Sequence, residues 1–149
     1  MDREEIFSSQ YRGTKSFSQQ QVKTANATGF GAAADDYAER GIDLNEQLIR
    51  NKPATFFMRV NSNAMLGAGI HQGDVVIVDR SLTWRSGSVV IAVLNGEMLI
   101  RRLTVADNNK RLLVPETKKL SPIEITDAAE FCVWGVVTYV IHSLSPTHP

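Results

Sequence analysis

The stretch Ser88–Leu103, SVVIAVLNGEMLIRRL, decides the fold. Two runs rich in Val, Ile and Leu, SVVIAVL and EMLIRRL, stand on either side of Asn95-Gly96. Asn-Gly between apolar runs is the strongest short-range hairpin signal, because both residues tolerate the positive φ that a two-residue turn requires. Side chains alternate along a strand. Leu99, Arg101 and Leu103 therefore share one face of the second strand, and Met98, Ile100 and Arg102 the other. Both faces carry apolar residues, so at least one arginine stands near an apolar environment. The commoner outcome is that both guanidinium groups reach solvent over the sheet edge; the alternative is that one lines a cleft.

The same texture extends outward. ATFFMRV (54–60), DVVIVD (74–79), RLLVPE (111–116), SPIEIT (121–126) and EFCVWGVVTYVIHSL (130–144) are short runs of strand-forming residues, and RSGS and DNNK between such runs are turn chemistry. With the hairpin they make about seven strands, which argues for a mostly β body. One short helix is expected in GIDLNEQLIRNK (41–52). Asp43 caps it, Glu46 three residues on completes a capping box, and Leu44, Leu48 and Ile49 face inward. Residues 1–40 differ from the rest. They are rich in Ser, Gln, Ala, Thr and Gly without a sustained period, and read as a flexible N-terminal arm with Phe30 and Tyr37 as isolated apolar anchors. Residues 41–149 form the body, which ends in a frayed tail.

The bulk numbers exclude several classes. Lys+Arg and Asp+Glu balance at 16 each, so there is no global electrostatic reason to bind nucleic acid. The single cysteine, Cys132, excludes an intramolecular disulfide and a cysteine metal cluster; within FCVWGVV it reads as a buried small hydrophobe, and a reducing cytoplasm fits. No run approaches the ~18 apolar residues of a membrane helix. The charged N-terminus, MDREEIFSSQYRGTK, lacks a signal peptide's apolar stretch. His71, His142 and His148 are scattered without HxH or HExxH spacing, so no metal site and no cofactor are expected. Asp74 and Asp79 flank a strand and read as turn caps.

The segment VNSNAMLGAGIHQGD (60–74) has the look of a turn that presents a reactive side chain. Its glycines, Gly67, Gly69 and Gly73, suit a turn more than an anion cradle. Yet the residue at its centre, before Met65, is Ala64, which has no chemistry.

Taken in order, TGFGAAADDY (28–37), IDLNEQLI (42–49), PATFFMRVNSNAM (53–65), GIHQGDVVIVDRSLT (69–83), NGEMLIRRL (95–103) and VWGVVTYVIH (133–142) resemble UmuD-type proteins, accessory subunits of the error-prone SOS polymerase V, within the LexA-like S24 peptidase family. The resemblance implies a small, curved LexA- and signal-peptidase-like β body with a flexible arm, normally a homodimer. It implies partners, a UmuC-type polymerase of the Y family and a RecA filament on single-stranded DNA, with no sequence-specific DNA binding of its own. It also implies a mechanism. Family members carry a serine nucleophile at the position of Ala64 and a neutral lysine base at the position of Arg101. They cut their own arm before the glycine of a pair that corresponds here to Thr28-Gly29.

Neither residue here can play its part. Alanine has no oxygen, and a guanidinium does not shed its proton as a general base must. Ser62, two positions before Ala64, lies some ~6 to 7 Å away if the segment is a strand, too far for a simple exchange. Lys110, Lys118 and Lys119 sit in loop-like segments. The reading is a catalytically silent, pseudo-peptidase binding subunit, homodimeric or paired with an intact relative. Two alternatives follow from the same resemblance. One is a RecA-stimulated, self-cleaving serine peptidase whose natural sequence is active; Arg101 argues against it. The other is a LexA-type repressor, for which the 28 residues before Gly29 show no helical pair. The missing membrane segment sets the signal-peptidase branch aside.

Overall fold

The computed structural model describes residues 7–10 and 41–145. Thr28, Gly29, Phe30, Tyr37 and His148 lie outside the described residues. Eight strands form one sheet: β1 (Phe7–Gln10), β2 (Thr55–Arg59), β3 (Val75–Asp79), β4 (Ser88–Leu94), β5 (Glu97–Val105), β6 (Arg111–Val114), β7 (Ile123–Ile125) and β8 (Phe131–Ile141). Their order is β1-β2-β3-β8-β4-β5-β6-β7, and every neighbouring pair is antiparallel.

The hairpin that anchors the sequence reading is present. Leu94 pairs with Glu97, and the turn residues Asn95 and Gly96 take φ of 50° and 82°, as a primed turn demands. The last strand returns to the middle of the sheet, between β3 and β4, so β8 joins the strands on either side of it. Seven strands fall in the runs expected of them. The eighth, β1, lies in the N-terminal segment and pairs with β2 from Phe7↔Arg59 to Gln10↔Phe56. Nothing in its composition announced it, since FSSQ has little alternation of its own and borrows its pairing from the edge of β2.

Apolar side chains collect in two clusters. Met58, Val60, Ala64, Met65, Ile70, Val76, Val78, Ile91 and Ile100 form the first. Val90, Ala92, Leu99, Leu103, Leu113, Ile125 and Val136 form the second. Alternation along β4 and β5 sends Ile91 and Ile100 into one cluster and their neighbours into the other, so the hairpin is buried on both faces.

The helix belongs to a unit separate from the strands. It spans Leu44–Leu48, and the Asp43 carboxylate accepts from the Asn45 and Glu46 amides at 3.0 and 3.3 Å. That is the first half of the expected capping box. Ile49 is buried as expected, but Leu44 is exposed, because a five-residue helix is too short to carry an apolar face along its length.

Cys132 corrects another expectation: it is exposed rather than buried. Phe131 and Val133 turn toward the second cluster, and alternation turns Cys132 outward. A continuous apolar run had hidden that this end of β8 covers only one core. No helix among the described residues is long and apolar enough to cross a membrane.

Candidate functional site

The 60–74 segment is a turn, not an extension of β2. Ala64 and Met65 open it, and a single 3-10 turn follows at Leu66–Ala68. Ala64 is 1% exposed and Met65 fully buried, both inside the first cluster. Backbone bonds hold the turn from several sides. The Ser62 hydroxyl accepts from the Ala64 amide at 3.0 Å. The Glu116 amide donates to the Ala64 carbonyl at 2.7 Å, and the Glu116 carbonyl accepts from the Gly67 amide at 2.8 Å. Val60 and Gly73 close the base, with Val60 donating to the Asp74 carbonyl and Gly73 to the Val60 carbonyl.

Gly67 is glycine because of this clamp. A Cβ there would stand 2.9 Å from the Glu116 carbonyl oxygen. Gly69 and Gly73, with φ of 83° and 94°, supply left-handed turn geometry. Glu116 is itself anchored. Its carboxylate takes Arg102 Nε at 2.8 Å, and Arg102 Nη1 donates to the Gly87 carbonyl at 2.6 Å.

The two arginines of β5 part company. Arg102 is partly exposed and tied to Glu116. Arg101 is 6% exposed, and its Nη1 donates to the Ile100 carbonyl at 2.8 Å. The expectation that both reach solvent over the sheet edge is therefore corrected. Arg101 pairs across β4 with Val90, in the interior of the sheet, where no edge is within reach. Ala64 packs in the same cluster as Ile100, the residue before Arg101.

The sequence model of the family described as Peptidase S24-like matches residues 21–138. The chain belongs to this family. Among individual relatives, it is 38% identical to "Protein ImpA" of Salmonella typhimurium over 76% of this chain and 77% of that protein. It is 36% identical to "Protein MucA" of Escherichia coli over the same shares. A "LexA repressor" of Bordetella pertussis is 30% identical over 82% of this chain and 55% of its own length.

Within the S24-like body, the structure adds residues that sequence reasoning missed. Glu116 follows β6 and clamps the Ala64 turn from a distance of about fifty positions, a contact that no local pattern announces. Ser62 lies in the turn, not in a strand, so the spacing expected from strand geometry does not apply; its oxygen sits against the Ala64 amide. Asp79 does cap a turn, accepting from the amide and hydroxyl of Ser81 at 2.8 and 2.5 Å. Asp74 also caps, accepting from the His71 amide at 2.8 Å. Two histidines expected to be scattered are not: His71 and His142 meet at Asp74, their ring centroids 4.6 Å apart. The reason is register. Val75 of β3 pairs with Ile141 of β8, which places Asp74 beside His142.

Proposed function

We propose that this chain is a UmuD-like accessory protein of SOS translesion synthesis in which the peptidase fold serves as a binding subunit and the self-cleavage chemistry is absent. The observation that carries the reading is the pair Ala64 and Arg101, taken as the family's nucleophile and base positions. Alanine stands 1% exposed at the centre of an intact turn, and a buried guanidinium occupies β5. The first has no hydroxyl to attack with. The second has five N–H donors and no lone pair to accept a proton, so it cannot activate a neighbour. The kinship with ImpA and MucA supports the accessory role over that of a repressor.

On this reading the partners are a UmuC-type Y-family polymerase and the RecA filament, in the cytoplasm. The body acts as a homodimer or pairs with an intact relative that cuts the arm in trans at Thr28-Gly29.

The test incubates the purified protein with RecA, single-stranded DNA and a non-hydrolysed ATP analogue, and then reads its mass. An Ala64→Ser/Arg101→Lys double variant runs beside it. The expected result is an intact wild type and a double variant that loses residues 1–28. A wild type cut between Thr28 and Gly29 would overturn the silent-site reading. Ser62, whose oxygen lies 3.0 Å from the Ala64 amide, is then the first nucleophile to remove.

A further inference from the structure

A second constellation lies at the end of β8. Asp74, 3% exposed, precedes β3, and His142 follows β8. His142 Nδ1 and Asp74 Oδ1 are 2.5 Å apart. On the other carboxylate oxygen, Oδ2 accepts from the His71 amide at 2.8 Å and stands 3.6 Å from His71 Nδ1. The rings of His71 and His142 overlap at 4.6 Å with 33° between their planes. One donor atom from each of the three residues lies within 4.8 Å of the others.

A lone Asp–His hydrogen bond explains only half of this. A second imidazole faces the same carboxylate, with its ring against the first. In its neutral form each ring presents a lone pair, and a single shared cation lets both rings and the carboxylate bind favourably at once. We propose that His71, Asp74 and His142 form a binding site for a divalent first-row transition ion of the Zn²⁺ class.

The donor chemistry selects the ion. Two imidazole nitrogens with one carboxylate oxygen suit Zn²⁺, Co²⁺, Ni²⁺ or Cu²⁺, whereas Mg²⁺ and Ca²⁺ prefer all-oxygen shells. The donor atoms, within 4.8 Å of one another, draw together around the ion. Donors about 2.0–2.2 Å from a tetrahedral ion stand roughly 3.3–3.6 Å from one another. The His71 pair is already near that spacing, and the His142 pair opens by rotation of a half-exposed side chain. The buried carboxylate is fixed by the His71 amide and by the turn bond from the Asp74 amide to the His71 carbonyl at 3.0 Å, so it forms the rigid base of the site.

Three protein ligands leave a position open. Asp74 and His142 also line a cleft of about 480 Å³, together with Arg59, Gln72, Gly73, Ser143 and Ser145. Arg59 is the cation of that cleft, and its Nη1 donates to the Gly73 carbonyl at 2.8 Å. A bound ion ties the 70–74 turn to the end of β8, whose Tyr139, Val140 and Ile141 are exposed. This inference does not depend on whether the Ala64 site is silent.

The experiment uses the full-length, metal-stripped chain with any affinity tag removed. It is titrated with Zn²⁺ alone, and retained metal is measured after dialysis; Co²⁺ serves as a visible-absorption probe. The expected result is one Zn²⁺ per chain, a higher melting temperature with Zn²⁺, and no such rise with Mg²⁺. His71→Ala and His142→Gln each weaken binding at least about tenfold. Asp74→Asn, which keeps an acceptor for the His71 amide, does the same; if it fails to fold, the two histidine variants carry the test. His148→Ala is the control and binds as wild type. Failure to retain stoichiometric Zn²⁺, or a His71→Ala/His142→Gln double variant that binds like wild type, overturns the proposal.

Discussion

Gly67→Ala tests whether the turn at Ala64 is clamped as tightly as the geometry indicates. The new Cβ would sit 2.9 Å from the Glu116 carbonyl oxygen and 3.3 Å from the Glu116 Cβ. Ordinary contact begins some 0.5 Å farther out, so something must move. The obstructing atom belongs to the backbone. It is also the acceptor for Gly67's own amide at 2.8 Å, while the Glu116 amide is held by the Ala64 carbonyl at 2.7 Å. Moving residue 116 away therefore stretches two backbone hydrogen bonds together. Each contributes about 0.5–1.5 kcal/mol net. Overpacking of a fitted site costs about 1–3 kcal/mol, which is the same range reached independently. Gly67 does not have a positive φ, so no backbone strain adds to this figure.

The assay is urea unfolding followed by circular dichroism, with Gly69→Ala as comparison. Gly69 has φ of 83° and open space around its Cβ position, so its cost is conformational, about 1–2 kcal/mol. The two variants should differ in kind. Gly67→Ala should become milder when Glu116 is replaced by Gly, which lets that backbone give way, whereas Gly69→Ala should not respond. A Gly67→Ala protein as stable as wild type within about 0.5 kcal/mol would refute the clamp.

Gly135 lies on β8 where a Cβ would stand 2.5 Å from Val78 Cγ1, a fully buried methyl, with Arg80 Cγ and the Asp79 carbonyl close behind. Gly135→Ala should lose about 1–3 kcal/mol in chemical unfolding, and its cost should fall in a Val78→Ala background; equal costs in both backgrounds would show that Val78 is not the obstruction. Cys132 is exposed, so a thiol reagent should modify one group per native chain without denaturant. Modification that waits for unfolding would contradict the outward placement of Cys132.

Much of the fold was legible because local chemistry and tertiary context agree. Asn95-Gly96 demanded a primed turn and adopts one, and SVVIAVL became a strand with those same bounds. What escaped depends on pairing. β1 takes its structure from the edge of β2, and His71 and His142 meet only because β3 and β8 align Val75 with Ile141. Alternation sorted the two arginines of β5 onto opposite faces, but burial of Arg101 required knowing that β5 lies inside the sheet. Cys132 and Leu44 were misjudged for the same reason. An apolar run or a short helix says which residues are greasy, not how many cores the element touches.

On the proposed silent-site reading, the clamp accounts for a turn that keeps its shape with no reactive side chain at 64. Its fastenings are the backbone of Glu116, the hydroxyl of Ser62 and the Arg102–Glu116 pair, and none uses the side chain at 64. These fastenings therefore hold whichever small side chain stands at 64. Burial then favours one replacement over others. A hydroxyl at a position 1% exposed needs an acceptor for its proton, and an unpaired one costs about 1–3 kcal/mol. A neutral lysine amine offers that acceptor; a guanidinium only donates. If Arg101 stands at the base position, a serine at 64 becomes a liability for stability as well as useless for catalysis, and alanine is the side chain that removes both problems. If the silent-site proposal holds, alanine at 64 and arginine at 101 are coupled in physical terms: without a base, the fold has no reason to keep the hydroxyl.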